Sequence, residues 1–343
     1  MATLLPDYRG GSLVNLMASI ASACGAPSSY VPLRGLDAQA LARHRNIVLI
    51  LFDGLGYNYL NQAGRGGALH RYLRGSMTSV FPPTTATAIT TLHTGVAPQQ
   101  HGLTGWFTYF REVGSVLAVL PFRNRHGGGS LKTLGIEPAQ LFSAPPVFDA
   151  LARPSWIVSH KSIVDSDYNL FHSGRAARMG YDNLKHFFQA IETAVKENRE
   201  QKYVYAYYPE LDALSHTFGV SSPQVAGLFK KIDGMFEQFL AAMAGTDSVI
   251  LVTADHGFVD VKPEETLELE NFPRLAETLV LPLCGERRVA YCYVHPEKTR
   301  QFEDCAREAL APYADLYRSE ELLDQGWFGL GEPHPRLMDR IGH

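Results

Sequence analysis

The chain has 343 residues, 45% of them hydrophobic, enough to bury a full core as one large domain or two modest ones. Lys and Arg number 31 against 35 Asp and Glu, and the formal charge of −4 excludes the basic footprint of a nucleic-acid binder and the polybasic patch of a membrane-surface protein. No window approaches the roughly 18 uninterrupted apolar residues of a membrane span, so a soluble globular protein is expected, with any anionic substrate held by local features.

In chain order, "SLVNLMASIASACGAP" reads as an amphipathic helix rather than a signal peptide, because Asp7 and Arg9 precede it in place of a strongly basic segment. "NIVLILF" (46–52) reads as a buried strand and runs directly into Asp53, Gly54 and Gly56. A short strand, "MTSVF", stops at Pro82 and Pro83, after which "TTATAITTL" starts a helix with Thr84 and Thr85 at its N-terminus. Residues 106–145 read as a hairpin followed by a Gly-rich loop, a lid or rim outside the central sheet. "SWIVSH" is the next strand. A helix over 182–199 carries Leu184, Phe187, Phe188, Ile191 and Val195 on one face behind an Asp182 cap.

"KYVYAYY" is a further strand, followed by "PELDALSH"; a helix over about 223–244 then repeats the apolar stripe with Pro223 in its first turn. "SVILVTA" leads into Asp255, His256 and Gly257. Residues 286–330, with "RRVAYCYV" as a strand, read as a strand, helix, strand cap, and "GEPHPRL" sets His334 between two prolines. The alternation of buried strands with helices predicts an α/β fold: a mostly parallel central sheet with helices on both faces, one domain over 1–343. Cys24, Cys284, Cys292 and Cys305 lack Cys-x-x-Cys spacing and read as buried or idle thiols; with no sign of export, a cytoplasmic location is expected.

In open α/β sheets, ligands bind beyond the carboxyl ends of the strands. Asp53, Asp255 and His256 stand at two such ends. Asp212 and His216, after a third strand, are spaced i, i+4, which on a helix puts both on one face. Singly, each has an ordinary explanation as a turn former, a cap or a surface pair. Together the carboxylates and imidazoles invite cations, since buried carboxylates are costly unless paired. A mixed nitrogen and oxygen set suits two divalent ions, Zn²⁺ first and Mn²⁺ as the alternative. A hydroxyl at a helix N-terminus beside such ions becomes a nucleophile near neutral pH, and Thr84 and Thr85 are both candidates.

The segments "LILFDGLG", "FPPTTATAITTLHTGVAPQQHGL", "YPELDALSH" and "VTADHGF", in this order, resemble the alkaline phosphatase superfamily and, within it, the type I phosphodiesterase/nucleotide pyrophosphatase family. The resemblance implies that Asp212, His216 and His334 bind one metal while Asp53, Asp255 and His256 bind the other. It selects Thr85, which bridges toward both, as the nucleophile. It also implies a phosphothreonine intermediate that is hydrolysed in a second step. The chain departs from the family at Ala86, Thr87 and Ala88, where relatives commonly have Phe-Pro-Asn, and at Trp106, which replaces a phosphoryl-binding asparagine. Trp106 becomes either a substrate contact through its indole N–H or a lid anchor.

The expected function is a two-metal hydrolase of a phosphodiester or nucleotide pyrophosphate bond, acting on a small-molecule phosphate ester or nucleotide. The alternatives are a phosphomonoesterase, a phosphonate hydrolase of the phosphonoacetate type, a metal-dependent mutase and, from another class, a binding protein without catalysis. A sulfatase is disfavoured because no Cys-x-Pro-x-Arg motif is present.

Overall fold

The computed structural model describes residues 4–343. All seven residues of β1 (Asn46–Phe52) are buried, and strand alternation divides their side chains between two cores. Ile47, Leu49 and Leu51 join one core with residues of α1 (Leu13–Ala23) and α2 (Thr85–Thr94). Val48, Ile50 and Phe52 join the other, with residues of α3 (Leu184–Lys196), α4 (Glu210–Phe218) and α5 (Pro223–Ala242). A strand apolar on both faces needs cover on both, and a parallel sheet with helices on each side supplies it.

After α2 the chain leaves this layer to form β2 (Phe107–Phe110), β3 (Ser115–Ala118) and β4 (Arg123–Asn124). It returns as β5 (Ser155–His160), β6 (Ala177–Tyr181), β7 (Lys202–Tyr208) and β8 (Ser248–Thr253), then forms β9 (Cys284–Gly285) and β10 (Ala290–Tyr291). The central sheet has the order β6-β5-β7-β1-β8 and every pairing in it is parallel. This is the doubly covered α/β sheet expected from the sequence. Phe52 pairs with Tyr208 and Leu51 with Thr253, so the carboxyl ends of β1, β7 and β8 come out at nearly the same level. The second sheet, β10-β9-β2-β3-β4, is antiparallel and joins segments from both 106–145 and 286–330.

Several local expectations are corrected. The α3 cap is Asn183, whose side chain accepts from the His186 N–H, while Asp182 pairs with Lys161. "MTSVF" contributes a single bridge, Thr78 to Ser12, rather than a strand. "RRVAYCYV" keeps only Ala290 and Tyr291 in a strand, paired antiparallel in the second sheet, because its first residues form the turn back from β9, closed by the Glu286 N–H to the Val289 carbonyl. Among the described residues, 286–330 continues as α6 (Thr299–Leu310) and a short helix at Ser319–Asp324, with no second strand. The edge strand β6 escaped notice because its sequence, ARMGY, buries only the final tyrosine. The four cysteines are free, and all but Cys292 are fully buried. Among the described residues no helix is long and apolar enough to cross a membrane.

Two buried histidines, His93 in the last turn of α2 and His172 packed beside it, bear on acid stability. His93 packs edge-on against Tyr205, at 4.9 Å between ring centroids, and beside Phe148, Tyr168 and His172; neither of its ring nitrogens has a hydrogen-bond partner. Burial, and then His172, push its pKa down to about 3, and burial pushes His172 to about 3 as well. Both are therefore neutral in the folded chain and gain a proton on unfolding at any pH between those values and the ordinary 6.5. Stability is fully present above that ordinary value and falls as pH drops through it, by about 2 kcal/mol per histidine near pH ~5. Thermal unfolding followed from neutral to acid pH should show this loss, and His93→Phe should reduce its steepness.

Candidate active site

Asp53 is the first residue beyond β1 and is 1% exposed; its N–H continues the ladder to the Tyr208 carbonyl. The two glycines after it let neighbouring backbone close in. Gly54 has φ +73°, and a Cβ there would stand 2.5 Å from Cε2 of Phe258; one on Gly56 would stand 2.6 Å from Cα of Gly257. The loop after β1 thus lies directly against the loop after β8. The Gly54 N–H donates to Asp255 Oδ1 at 3.1 Å, and the His256 N–H donates to the same oxygen at 3.0 Å. Asp255 is completely buried, and Ser79 Oγ donates to its main-chain carbonyl at 2.5 Å.

The site converges on one nitrogen. His256 Nε2 lies 3.3 Å from Asp53 Oδ1, 3.6 Å from Asp255 Oδ2 and 3.8 Å from Asp212 Oδ1. Thr85 Oγ1 is 3.2 Å from the same nitrogen. The other ring nitrogen, Nδ1, is 3.1 Å from the Gly257 carbonyl, which places the hydrogen of a neutral ring there and turns the Nε2 lone pair into the cluster. From α4, His216 Nε2 lies 3.5 Å from Asp212 Oδ1, the pair one helical turn apart. The Phe258 ring stands edge-on to both imidazoles, with centroids 4.9 Å from His216 and 5.5 Å from His256.

The three carboxylate oxygens nearest His256 Nε2, namely Asp53 Oδ1, Asp255 Oδ2 and Asp212 Oδ1, are all buried without a hydrogen-bond partner. Burial raises the Asp53 pKa well above the carboxylate range, and the charges of Asp255 and Asp212 add to this. Burial also raises Asp212, against the pull of His256 and His216. Burial works against a charged His256, but Asp255 and Asp212 outweigh it and its pKa rises. Three acids crowded together with free oxygens facing inward form an electrostatic arrangement that a divalent cation completes, and the oxygen and nitrogen donors fit one. Among the described residues, Asp53, Asp255 and His256 are the group whose donor atoms all lie within 4.8 Å of one another.

Thr85 opens the ten-residue helix α2 and is 8% exposed. The commonplace explanation of the Thr-Thr pair is capping, yet the N-cap residue Thr84 makes no side-chain cap bond. The helix start therefore retains free N–H groups next to Thr85 Oγ1, where an anion would sit.

Two further predicted residues have partners of their own outside the cluster. His334 is set apart from the cluster: its Nε2 bonds Ser143 Oγ at 2.7 Å, its Nδ1 accepts from the Arg336 N–H, and its ring packs on Gly102, beyond the far end of α2. Gly102 and the buried Arg340 hold it there, and burial followed by Arg340 lowers its pKa to about 4. Trp106 is half-buried directly before β2. Its carbonyl accepts from the Val119 N–H, and the preceding Gly105 approaches Gly285 so closely that a Cβ would lie 2.6 Å from Gly285 Cα.

Three residues of the site were not anticipated. Tyr207, on β7, donates its hydroxyl to Asp53 Oδ2 at 2.5 Å, and Phe258 is the ring shared by the two histidines. Glu286 follows β9; burial raises its pKa while the charge of nearby His256 pulls the other way. The alternation of tyrosines 203, 205 and 207 was the one available sign in the sequence, since it puts three hydroxyls on one face of β7, and of these only that of Tyr207 reaches Asp53.

The sequence profile of the type I phosphodiesterase/nucleotide pyrophosphatase family matches residues 47–329. No curated protein matches the sequence. Among solved structures, human ectonucleotide pyrophosphatase/phosphodiesterase 5 superposes with a TM-score of 0.65 at 17% identity, covering 86% of this chain and 76% of that one. The murine protein in its inactive threonine-to-alanine form, in complex with AMP, gives 0.62 at 17% identity over the same shares, 86% and 76%. Phosphonoacetate hydrolase from Sinorhizobium meliloti 1021, in complex with phosphonoformate, gives 0.60 at 21% identity, covering 87% of this chain and 79% of that one. With the profile spanning the strands, the helix and the loops that build the cluster, the chain belongs to the type I phosphodiesterase/nucleotide pyrophosphatase family and is a hydrolase of phosphoester bonds.

Proposed function

We propose that the protein is a two-metal phosphodiesterase or nucleotide pyrophosphatase in which Thr85 is the nucleophile. The observation that carries this reading is the meeting of three partnerless carboxylate oxygens and Thr85 Oγ1 around His256 Nε2 at the start of a helix. Asp53, Asp255 and His256 would hold one ion, and Asp212 and His216 would contribute to the second. Zn²⁺ suits these donors best, with Mn²⁺ the alternative. Bound divalent ions supply Lewis-acid charge that favours the alkoxide of a nearby hydroxyl and offsets charge developing on the phosphoryl group.

The chain's own residues do the rest. Thr85 Oγ1 forms the new bond to phosphorus as the bond to the leaving oxygen breaks, and water later cleaves the phosphothreonine. The N–H groups of the first turn of α2 face the non-bridging oxygens. The inactive threonine-to-alanine form of the murine protein, seen with AMP, supports both a threonine in this role and a nucleotide as substrate. We read 1–343 as one catalytic domain, with 106–145 as a lid and 286–330 as a cap, because their strands share one sheet and Glu286, just beyond β9, is close enough to His256 for their charges to interact. Trp106, directly before β2 of that sheet, is on this reading a substrate contact or the anchor of the lid. Four free thiols without disulfides accord with a cytoplasmic location.

A diester is favoured over a monoester on charge. A monoester dianion needs positive charge beyond the metals, and residues 77–102 contain no Lys or Arg. Of the cations in the lid, Arg111 pairs with Asp339, while Arg125 lies over Phe107 and donates to the Leu283 carbonyl. Glu286 adds a carboxyl near the cluster, which further disfavours a dianion. With Zn²⁺ or Mn²⁺, an aryl diester should give a higher kcat/KM than the matching aryl monoester. Preference for the monoester would overturn the diesterase reading, and preference for a phosphonate would favour the chemistry of the phosphonoacetate hydrolase that shares this fold. Metal uptake without turnover on any ester or phosphonate would mark a binding protein.

A further inference from the structure

Resting on the metal reading above, we infer that Tyr207 is a positioning residue that sets the Asp53 carboxylate for the cation. The two buried acids at the ends of β1 and β8 share one design. In each, one oxygen is tied down and the other is left free toward His256 Nε2. Asp255 is tied by backbone: its Oδ1 takes the Gly54 and His256 N–H groups, and its Oδ2 has no partner. Asp53 is tied by a side chain: its Oδ2 takes the Tyr207 hydroxyl at 2.5 Å, and its Oδ1 has no partner.

The parallel register explains why a tyrosine can do this. Leu51 pairs with Tyr207 and Phe52 with Tyr208, so Asp53 emerges from β1 directly beside the end of β7, and the Tyr208 carbonyl takes its N–H. The Tyr181 hydroxyl donates to the Tyr207 carbonyl at 3.0 Å, fixing the strand end from the other side. Tyr207 is the one partly exposed residue of β7, as befits a residue at the edge of a site rather than in the core. Without its hydroxyl, Asp53 keeps its place in the chain but loses the contact that selects which oxygen faces inward. Partners behind a metal ligand typically matter by about 10–100-fold in metal affinity.

The test is Co²⁺ titration of the full chain, stripped of metal by chelation, read by the visible absorption of the bound ion. Tyr207→Phe should weaken Co²⁺ binding by roughly tenfold or more and change the spectrum of the bound ion, with thermal unfolding of the metal-free protein little altered. Tyr205→Phe is the control, because Tyr205 lies two residues back on the same face and its buried hydroxyl has no partner; it should leave Co²⁺ affinity unchanged. In an Asp53→Asn background, Tyr207→Phe should have no further effect, since the tyrosine acts through that carboxylate. Equal Co²⁺ affinity of Tyr207→Phe and wild type would overturn the inference, as would equal weakening by Tyr205→Phe or an undiminished effect in the Asp53→Asn background. Failure of the wild-type chain to take up Co²⁺ would overturn the metal reading itself, and this inference with it.

Discussion

Thr85→Ala is expected to eliminate turnover, by at least roughly a thousandfold in kcat, with the fold intact. The expectation rests on place. Thr85 Oγ1 is 3.2 Å from His256 Nε2, the atom on which the three carboxylates converge, and no other threonine of α2 approaches that nitrogen. Thr87, Thr90 and Thr94 spend their hydroxyls on helix carbonyls, and Thr91 bonds His101. Alanine is a good helix former in a first turn, so the substitution removes chemistry and leaves the scaffold. Thr84→Ala should change turnover by less than about tenfold and stability by under ~0.5 kcal/mol, because Thr84 makes no cap bond to lose. Steady-state kinetics on an aryl diester, with thermal unfolding alongside, separates the two. The reverse pattern would move the nucleophile by one residue.

Asp255→Ala should also reduce turnover to background, and its effect on stability should be small without metal and destabilising with it. In the metal-free chain Asp255 is one of three acids in mutual repulsion, and its charge helps to raise the Asp53 pKa. Removing it relieves that repulsion while leaving the Gly54 and His256 N–H groups without their acceptor. The metal-free variant should therefore unfold close to the wild-type temperature. In wild type, Zn²⁺ binds only the folded state and raises Tm in proportion to the logarithm of its concentration. The variant should lose most of that rise. A full Zn²⁺-dependent rise in Asp255→Ala would show that the ion binds elsewhere.

Much of this site can be read from the sequence because its ligands sit where secondary structure changes. Asp53 and Asp255 each follow an apolar strand, fully buried before Asp53 and half-buried before Asp255, with a glycine one or two positions on (Gly54, Gly257), a pattern that core packing does not require. Asp212 and His216 declare themselves through their i, i+4 spacing, which the helix Glu210–Phe218 converts into a pair 3.5 Å apart. What escaped depends on contacts between distant segments. Tyr207 looks like one more aromatic in an apolar strand until the pairing of β1 with β7 brings it beside Asp53. Phe258 and Glu286 become part of the site only through the approach of loops that no local pattern specifies. His334 shows the converse: two flanking prolines promise a stiff loop but carry no information about where it docks, and it docks against Gly102 and Ser143. The edge strand Ala177–Tyr181 was hidden for a simpler reason, since an edge strand that is mostly exposed has little apolar pattern to reveal it.

The central claim is that the converging oxygens exist to hold divalent ions that the reaction requires. Elemental analysis of the purified, active protein tests it most directly, paired with an activity assay before and after chelation. The expected result is two equivalents of divalent transition metal per chain, zinc foremost, lost together with activity on chelation and restored with it when Zn²⁺ or Mn²⁺ is returned. Full turnover by a chain that carries no such metal would contradict the account.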